Sequence, residues 1–64
     1  MIDIKHLILL EIPEGKEVEF HEVIREVQYR DPNLNSGDIR LRIQAMLAEG
    51  ELVQTSDRKL RRKT

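Results

Sequence analysis

The stretch that decides the fold runs from Asn35 to Thr55 and has the sequence NSGDIRLRIQAMLAEGELVQT. Its apolar residues first recur every three or four positions, the period of a helix, and the period becomes that of a strand after Gly50. Asn35 can cap the first backbone amides of such a helix, and Gly50 suits the left-handed position that follows a helix. The stretch therefore predicts a helix over about 36–49 that leads directly into a strand.

Two more helices are predicted on the N-terminal side of this stretch. The first covers about 3–12, with Asp3 as its N-cap and Pro13 as the residue that stops it. The second covers about 20–29, where apolar residues recur at i, i+3, i+4 and i+7: Phe20, Val23, Ile24 and Val27. A short strand is expected near Val18, because Glu17-Val18-Glu19 alternates.

A β-hairpin is predicted on the C-terminal side, over about 51–63, with its turn at Ser56-Asp57-Arg58. The prediction is thus one α+β domain over residues 1–64, with three helices and a small antiparallel sheet. An isolated hairpin is marginally stable in water, so its apolar residues must pack on the helices. The expected core comprises Ile4, Leu7, Ile8, Phe20, Val23, Ile24, Val27, Leu34, Ile39, Ile43, Met46, Leu52 and Leu60.

The composition excludes several classes of protein. The chain has no cysteine, which removes disulfides and thiolate metal sites. Its longest apolar run, Leu7 to Leu10, is far shorter than the roughly 20 residues that span a bilayer. Asp3 and Glu11 flank that run, so no signal peptide is expected. The sequence predicts a small cytoplasmic domain without membrane contact.

The charges are distributed unevenly along the chain. Residues 1–32 carry four basic and eight acidic side chains, a net −4, whereas residues 33–64 carry seven basic and four acidic ones, a net +3. Five of the seven basic residues lie between Arg58 and Lys63. Such a basic end indicates a polyanionic or acidic partner, or else a solvated tail.

Motifs for catalysis are incomplete in this sequence. His21-Glu22 begins like a zinc-protease motif, but Arg25 occupies the position of the second histidine. The segment that starts at Asp31 begins like a calcium loop, but Ser36 and Arg42 stand where glycine and glutamate are required. A chain this short would also struggle to enclose a substrate pocket. We therefore expect no enzyme activity and no cofactor or metal.

The order of helix, short strand, two helices and hairpin resembles the winged helix-turn-helix domain over nearly the whole chain. The resemblance is carried by Val18, by the helix at 20–28, by Leu34 in the turn, and by Ile39, Ile43 and Met46 in the third helix. The segment Ala48-Glu49-Gly50-Glu51-Leu52-Val53 is similar to the stretch where that family's third helix ends and the wing begins.

The resemblance implies duplex DNA binding, as in a transcription regulator, with the third helix in the major groove and the wing on the backbone. Arg and Gln side chains can hydrogen-bond to base edges, while a row of cations neutralises phosphates. The candidate contacts that the resemblance implies on the third helix are Ser36, Arg40, Arg42 and Gln44. Those on the wing are Arg58, Lys59, Arg61, Arg62 and Lys63.

A protein partner is the alternative that the sequence leaves open. With Ile39, Ile43 and Met46 turned inward, the outer face of the third helix is largely apolar. Its apolar members are Leu41, Ala45 and Ala48. The wing tip also lacks glycine, and the acidic first half of the chain would repel phosphates. These features are typical of a winged helix that binds proteins, through this face or through the apolar first helix.

The first helix is apolar on nearly all sides, which predicts an additional contact. Ile2, Leu9 and Leu10 cannot all face the core that Ile4 and its neighbours face. One solution is a homodimer through Ile2, Leu9 and Leu10. The other is that Leu10 packs under the hairpin while Ile2 and Leu9 are singly exposed, as is common on monomers.

Overall fold

A computed structural model of the chain describes residues 3–55 and 58–63. Within these ranges there are three helices and three strands, in the predicted order. The elements are α1 (Ile4–Leu10), β1 (Val18–Glu19), α2 (Phe20–Arg30), α3 (Ser36–Ala48), β2 (Leu52–Thr55) and β3 (Lys59–Arg62). The predicted α+β fold is confirmed, and its layout is that of a small winged helix.

The three strands form one antiparallel sheet in which β3 lies between β1 and β2. Leu60 is paired with Val18 on one side and with Gln54 on the other. The short strand predicted near Val18 is the two-residue strand β1, which lies at the edge of the sheet and attaches it to the start of α2. We call residues 52–63, which include β2 and β3, the wing. Ser56 and Asp57 of the predicted turn lie outside the described residues.

Each helix begins at a side chain that caps its amides. Asn35 accepts a hydrogen bond from the Asp38 amide at 2.8 Å, and Asp3 accepts one from the Lys5 amide at 3.3 Å. At α2 the Glu19 carboxylate accepts from two backbone amides, those of His21 and Glu22. These bonds, led by the one from His21, lower the pKa of Glu19 despite partial desolvation.

The end of α3 is a Schellman motif, as Gly50 predicts. The Glu51 amide donates to the Met46 carbonyl at 2.9 Å, and the Gly50 amide donates to the Leu47 carbonyl at 3.2 Å. Gly50 has a φ of +81°, which closes the helix and turns the chain into β2. The helix ends at Ala48, one residue before the predicted boundary, with Glu49 as its C-cap.

Replacing Gly50 with alanine is expected to lower the free energy of unfolding by about 1–2 kcal/mol, the cost of the left-handed conformation for an L-residue. The space around Gly50 is not limiting, because the nearest atom to an added Cβ is Lys63 Nζ at 3.8 Å. Urea unfolding followed by circular dichroism measures the change. The matched control is alanine at Gly37, which lies inside α3 without a positive φ; its Cβ would come within 3.3 Å of the capping Asn35 Oδ1, so its smaller loss measures that contact and not a left-handed backbone. Equal losses for both variants would contradict the argument.

The core lies between the three helices and the inner face of the sheet. Its buried members are Leu7, Ile8, Ile12, Val23, Ile24, Val27, Ile39, Ile43, Met46, Leu52 and Leu60. Three other predicted core residues, Ile4, Phe20 and Leu34, are half-buried and pack against this cluster. The core prediction is therefore largely confirmed, and Ile12 is the buried residue that it lacks.

The first helix is shorter than the predicted range of 3–12. It ends at Leu10, because Ile12 precedes Pro13 and a residue before proline is disfavoured in the α region. The chain leaves the helix in a tight turn, in which the Ile12 amide donates to the Leu9 carbonyl at 3.2 Å. That turn directs the side chain of Ile12 into the core, where it is completely buried.

The exposed apolar positions on α1 also differ from expectation. Leu9 is half-buried and packs against the core, whereas Leu10 is 46 % exposed. Leu10 therefore does not pack under the wing. Of the three residues proposed for a homodimer, Leu10 alone is exposed among those described, and Ile2 lies outside the described residues.

No helix within residues 3–55 and 58–63 is both long enough and apolar enough to cross a membrane.

Candidate nucleic-acid interface

Helix α3 presents a different surface to each side of the domain. Ile39, Ile43 and Met46 are turned into the core and are completely buried. Arg40 and Gln44, one turn apart, lie on the flank next to the wing. Leu41 and Arg42 lie toward the other flank, next to α1. Leu41 and Gln44 also border the outer face of α3 between these flanks, which the winged-helix resemblance places against DNA.

A groove of about 300 Å³ lies between α3, the start of α2 and the wing. We call it the basic groove. Its lining residues are Phe20, His21, Arg40, Gln44, Leu47, Gln54 and Arg58. Three residues predicted separately on α3 and on the wing, Arg40, Gln44 and Arg58, thus meet on one surface. No acidic side chain is among the described residues that line it.

Two polar residues of the basic groove were not predicted as contacts. His21 comes from the first turn of α2, and Gln54 comes from β2. His21 was interpreted as an isolated histidine, since it has no partner motif in the sequence. Only the packing of α2 and the wing against α3 brings His21 and Gln54 beside Arg40, so no sequence signal identifies them.

The backbone at Arg58 is unusual. Its φ is +62°, which makes it the only non-glycine residue with a positive φ among those the structure describes. An L-residue other than asparagine or aspartate adopts this conformation at an energetic cost. The wing tip lacks glycine, and Arg58 occupies the position where a glycine would relieve that cost.

The remaining basic residues of the wing lie on or beside β3. Since side chains alternate along a strand, Lys59 and Arg61 point away from the face that carries the buried Leu60. Lys59 and Lys63 are exposed, and Arg61 is half-buried. Lys59 is paired in register with Glu19 and Thr55. These three cations lie on a different surface from the basic groove, but on the same wing.

Arg62 is directed toward the helices and is engaged by the protein itself. Its Nε donates to the Ile12 carbonyl at 2.7 Å, and its Nη2 donates to the Leu9 carbonyl at 2.6 Å. The Leu9 carbonyl lies in the last turn of α1, where it also accepts from the Ile12 amide, and the Ile12 carbonyl lies just beyond the helix. The guanidinium predicted to contact phosphate therefore joins the end of α1 and the residues after it to β3.

Ser36 and Arg42 lie away from the basic groove. Ser36 is the exposed first residue of α3. Arg42 lines a second groove, of about 320 Å³, between α1 and α3. The pKa of Glu51 is lowered mainly by a hydrogen bond from Lys5, and the charge of Arg42 adds to this effect.

The acidic side chains of the first half form a surface of their own. A groove of about 570 Å³ lies between the end of α1, β1 and α2, and Lys59 of β3 reaches it. Five glutamates line it: Glu11, Glu17, Glu19, Glu22 and Glu26. It shares no lining residue with the basic groove. No cluster of three or more His, Asp or Glu side chains arranged to hold a metal occurs in the described part of the chain.

No protein-family model, curated protein or solved structure matches the chain.

Proposed function

We propose that the chain is a small cytoplasmic protein that binds duplex DNA, as a transcription regulator does, through α3 and the wing. The observation that carries the proposal is the basic groove, in which Arg40 and Gln44 of α3 face Arg58 of the wing. Arginine and glutamine can form bidentate hydrogen bonds with guanine and adenine edges. The groove thus combines base-reading side chains with a flanking cation.

The backbone of Arg58 supports this proposal. Strained conformations persist where the surrounding structure enforces them, and they concentrate at functional sites. Glycine at this position would relieve the strain, but it would remove a cation from the rim of the basic groove. The positive φ of Arg58 is therefore consistent with a charge retained for binding at the expense of stability.

The other wing cations complete the interface. Lys59 and Arg61 lie on β3 and Lys63 directly follows it, so that Arg61 and Lys63 can contact phosphates and release condensed counterions. The groove lined by the five glutamates also contains Lys59, but it shares no lining residue with the basic groove. The basic groove is therefore the positive side of the protein. Electrostatic steering would orient a duplex toward the positive side.

The test is a titration of a fluorescent mixed-sequence duplex with the protein, followed by anisotropy at two salt concentrations. Changing Arg61 and Lys63 to alanine is expected to weaken binding to all sequences. It should also lower the slope of log affinity against log salt by about one for each lost phosphate contact. Changing Arg40 or Gln44 is instead expected to change the preference between sequences, since these side chains would contact base edges.

Two variants serve as controls for this titration. Arg58→Gly removes one charge but keeps the turn, because glycine adopts a positive φ freely. The affinity that Arg58→Gly loses therefore measures the contribution of the Arg58 charge to binding, because the geometry of the wing is unchanged. Lys16→Ala removes an exposed cation outside the basic groove and should leave the salt slope unchanged. Absence of salt-dependent binding by the unmodified protein at low ionic strength would contradict DNA binding.

Protein binding through the outer face of α3 is the second candidate. Leu41 is 65 % exposed on α3, and it lines the α1–α3 groove together with Ile4 and Ala45. Ala48 is exposed but lies outside this groove. Phosphates gain nothing from an exposed leucine, whereas burial of one such side chain contributes roughly 1.5–3 kcal/mol to an association.

A further inference from the structure

The α1–α3 groove has the chemistry of an interface between identical chains. We use this name for the surface formed by Ile4, Asp38, Leu41, Arg42 and Ala45. Its centre is apolar, since Leu41 is exposed while Ile4 and Ala45 are half-buried beside it. Its rim carries one acidic and one basic side chain, Asp38 and Arg42, one helical turn apart on α3.

The two rim charges, Asp38 and Arg42, form no ion pair with another described residue. Although they are spaced i and i+4, they do not bridge each other. The charge of Arg42 reaches Glu51 without an ion pair, so both side chains can pair with an incoming molecule. A polyanion would meet one attractive and one repulsive group there, which makes this surface a poor site for DNA.

We infer that a second copy of this chain docks on the α1–α3 groove, with the two α3 helices crossing antiparallel at Leu41. A two-fold interface uses the same surface of both subunits, so that residue i meets j and residue j meets i. An antiparallel crossing brings Asp38 of each copy beside Arg42 of the other. A parallel crossing would place like charges together.

The spacing along the helix supports this register. With a rise of about 1.5 Å per residue, Asp38 lies about 4.5 Å before Leu41 and Arg42 about 1.5 Å after it. Rotation about a two-fold axis at Leu41 therefore leaves the two opposite charges about 3 Å apart along the helix axis. The flexible side chain of arginine spans this offset, and two reciprocal ion pairs would flank the leucine contact.

The expected dimer is weak. A stable interface of standard size covers about 800 Å² on each partner. That area is a large share of the 4478 Å² that this protein exposes, and the groove is a small part of its surface. Association would compete with DNA binding, because Leu41 belongs to the outer face of α3. This competition rests on the proposed function, whereas the dimer itself does not.

Sedimentation equilibrium without DNA tests the dimer, over protein concentrations from about 10 µM to about 1 mM, the range of weak affinities. The unmodified protein is expected to self-associate within this range, and Leu41→Lys to remain monomeric. The variants Asp38→Arg and Arg42→Asp should each be monomeric, since each places like charges at both rim contacts. A mixture of these two variants should associate, because opposite charges then face each other at both contacts.

Circular dichroism of each variant shows whether it is folded. Leu10→Lys is the matched control, because Leu10 is the other exposed leucine among the described residues. A monomer at about 1 mM protein would overturn the inference. So would a dimer that survives Leu41→Lys, or one that Leu10→Lys dissociates. Because DNA is absent, failure here leaves duplex binding untouched, and failure of the duplex titration leaves the dimer untouched.

Discussion

Replacing Ile43 with alanine is expected to lower the free energy of unfolding by about 2–5 kcal/mol, the range for large-to-small changes in a core. Ile43 is completely buried at the middle of α3, the helix that packs against α1, α2 and β2. A domain of 64 residues has about 3–10 kcal/mol of stability in total. The variant is therefore expected to lose a large part of that stability and to unfold at a much lower urea concentration.

Leu41→Ala is the matched control for this experiment. It removes an aliphatic side chain of similar size from the same helix, but from a position that is 65 % exposed. At low protein concentration its unfolding midpoint in urea should differ little from that of the unmodified protein, since surface changes are usually within about 0.5 kcal/mol. A loss below 1 kcal/mol for Ile43→Ala would contradict the central position assigned to α3, as would equal losses for the two variants.

Local signals explain why so much of the fold could be predicted from the sequence. The cap at Asn35, the glycine at position 50 and the apolar period of α3 act on neighbouring backbone groups, so they fix this helix whatever it packs on. The boundaries of α2 and α3 accordingly lie within one residue of prediction. The third helix leads into the wing through hydrogen bonds among Met46, Leu47, Gly50 and Glu51, all within six residues.

The predicted end of α1 was wrong for a reason that can be read from the sequence near Pro13. Pro13 was interpreted as the residue that stops the helix, which placed Ile12 inside it. The restriction that proline imposes on the preceding residue applies to Ile12 itself. Ile12 lies four positions after Ile8, so the helical period also places it on the core face, and its omission from the predicted core does not follow from that period.

Contacts between distant elements could not be predicted. The basic groove needs α2, α3 and the wing in one arrangement, so His21 and Gln54 join it only in the folded chain. The composition of the C-terminal segment predicts a row of cations but not their directions. Those directions depend on the position of β3 at the centre of the sheet. Lys59 and Arg61 point away from the core, whereas Arg62 points toward the end of α1.

The two proposed functions use different flanks of helix α3. Arg40 and Gln44 face the wing, where cations favour a polyanion, and Leu41 with Arg42 faces α1, where an apolar surface and balanced charges favour a protein. Leu41 and Gln44 lie close together on the outer face, so one occupant would exclude the other. Protein concentration would then regulate DNA binding through the dimer.

Replacing Arg62 with alanine is expected to lower the free energy of unfolding by about 1.5–3 kcal/mol, the value for hydrogen bonds that involve a charged group. The substitution removes both bonds to the Leu9 and Ile12 carbonyls, at 2.6 and 2.7 Å, and with them the link between β3 and the end of α1. Thermal and urea unfolding measure the loss. Lys63→Ala, which removes the same charge from an exposed neighbour, should change stability by less than about 0.5 kcal/mol.

Arg62→Lys separates the charge of Arg62 from its geometry. Lysine keeps the positive charge, but its ammonium lacks the planar fork with which arginine donates in two fixed directions. We therefore expect Arg62→Lys to recover only part of the stability that Arg62→Ala loses. In the duplex titration, folded Arg62→Ala should keep the salt slope of the unmodified protein, whereas Arg61→Ala should lower it by about one. If Arg62→Ala instead retained full stability and lowered that slope, Arg62 would be a phosphate contact, and α1 would not depend on it.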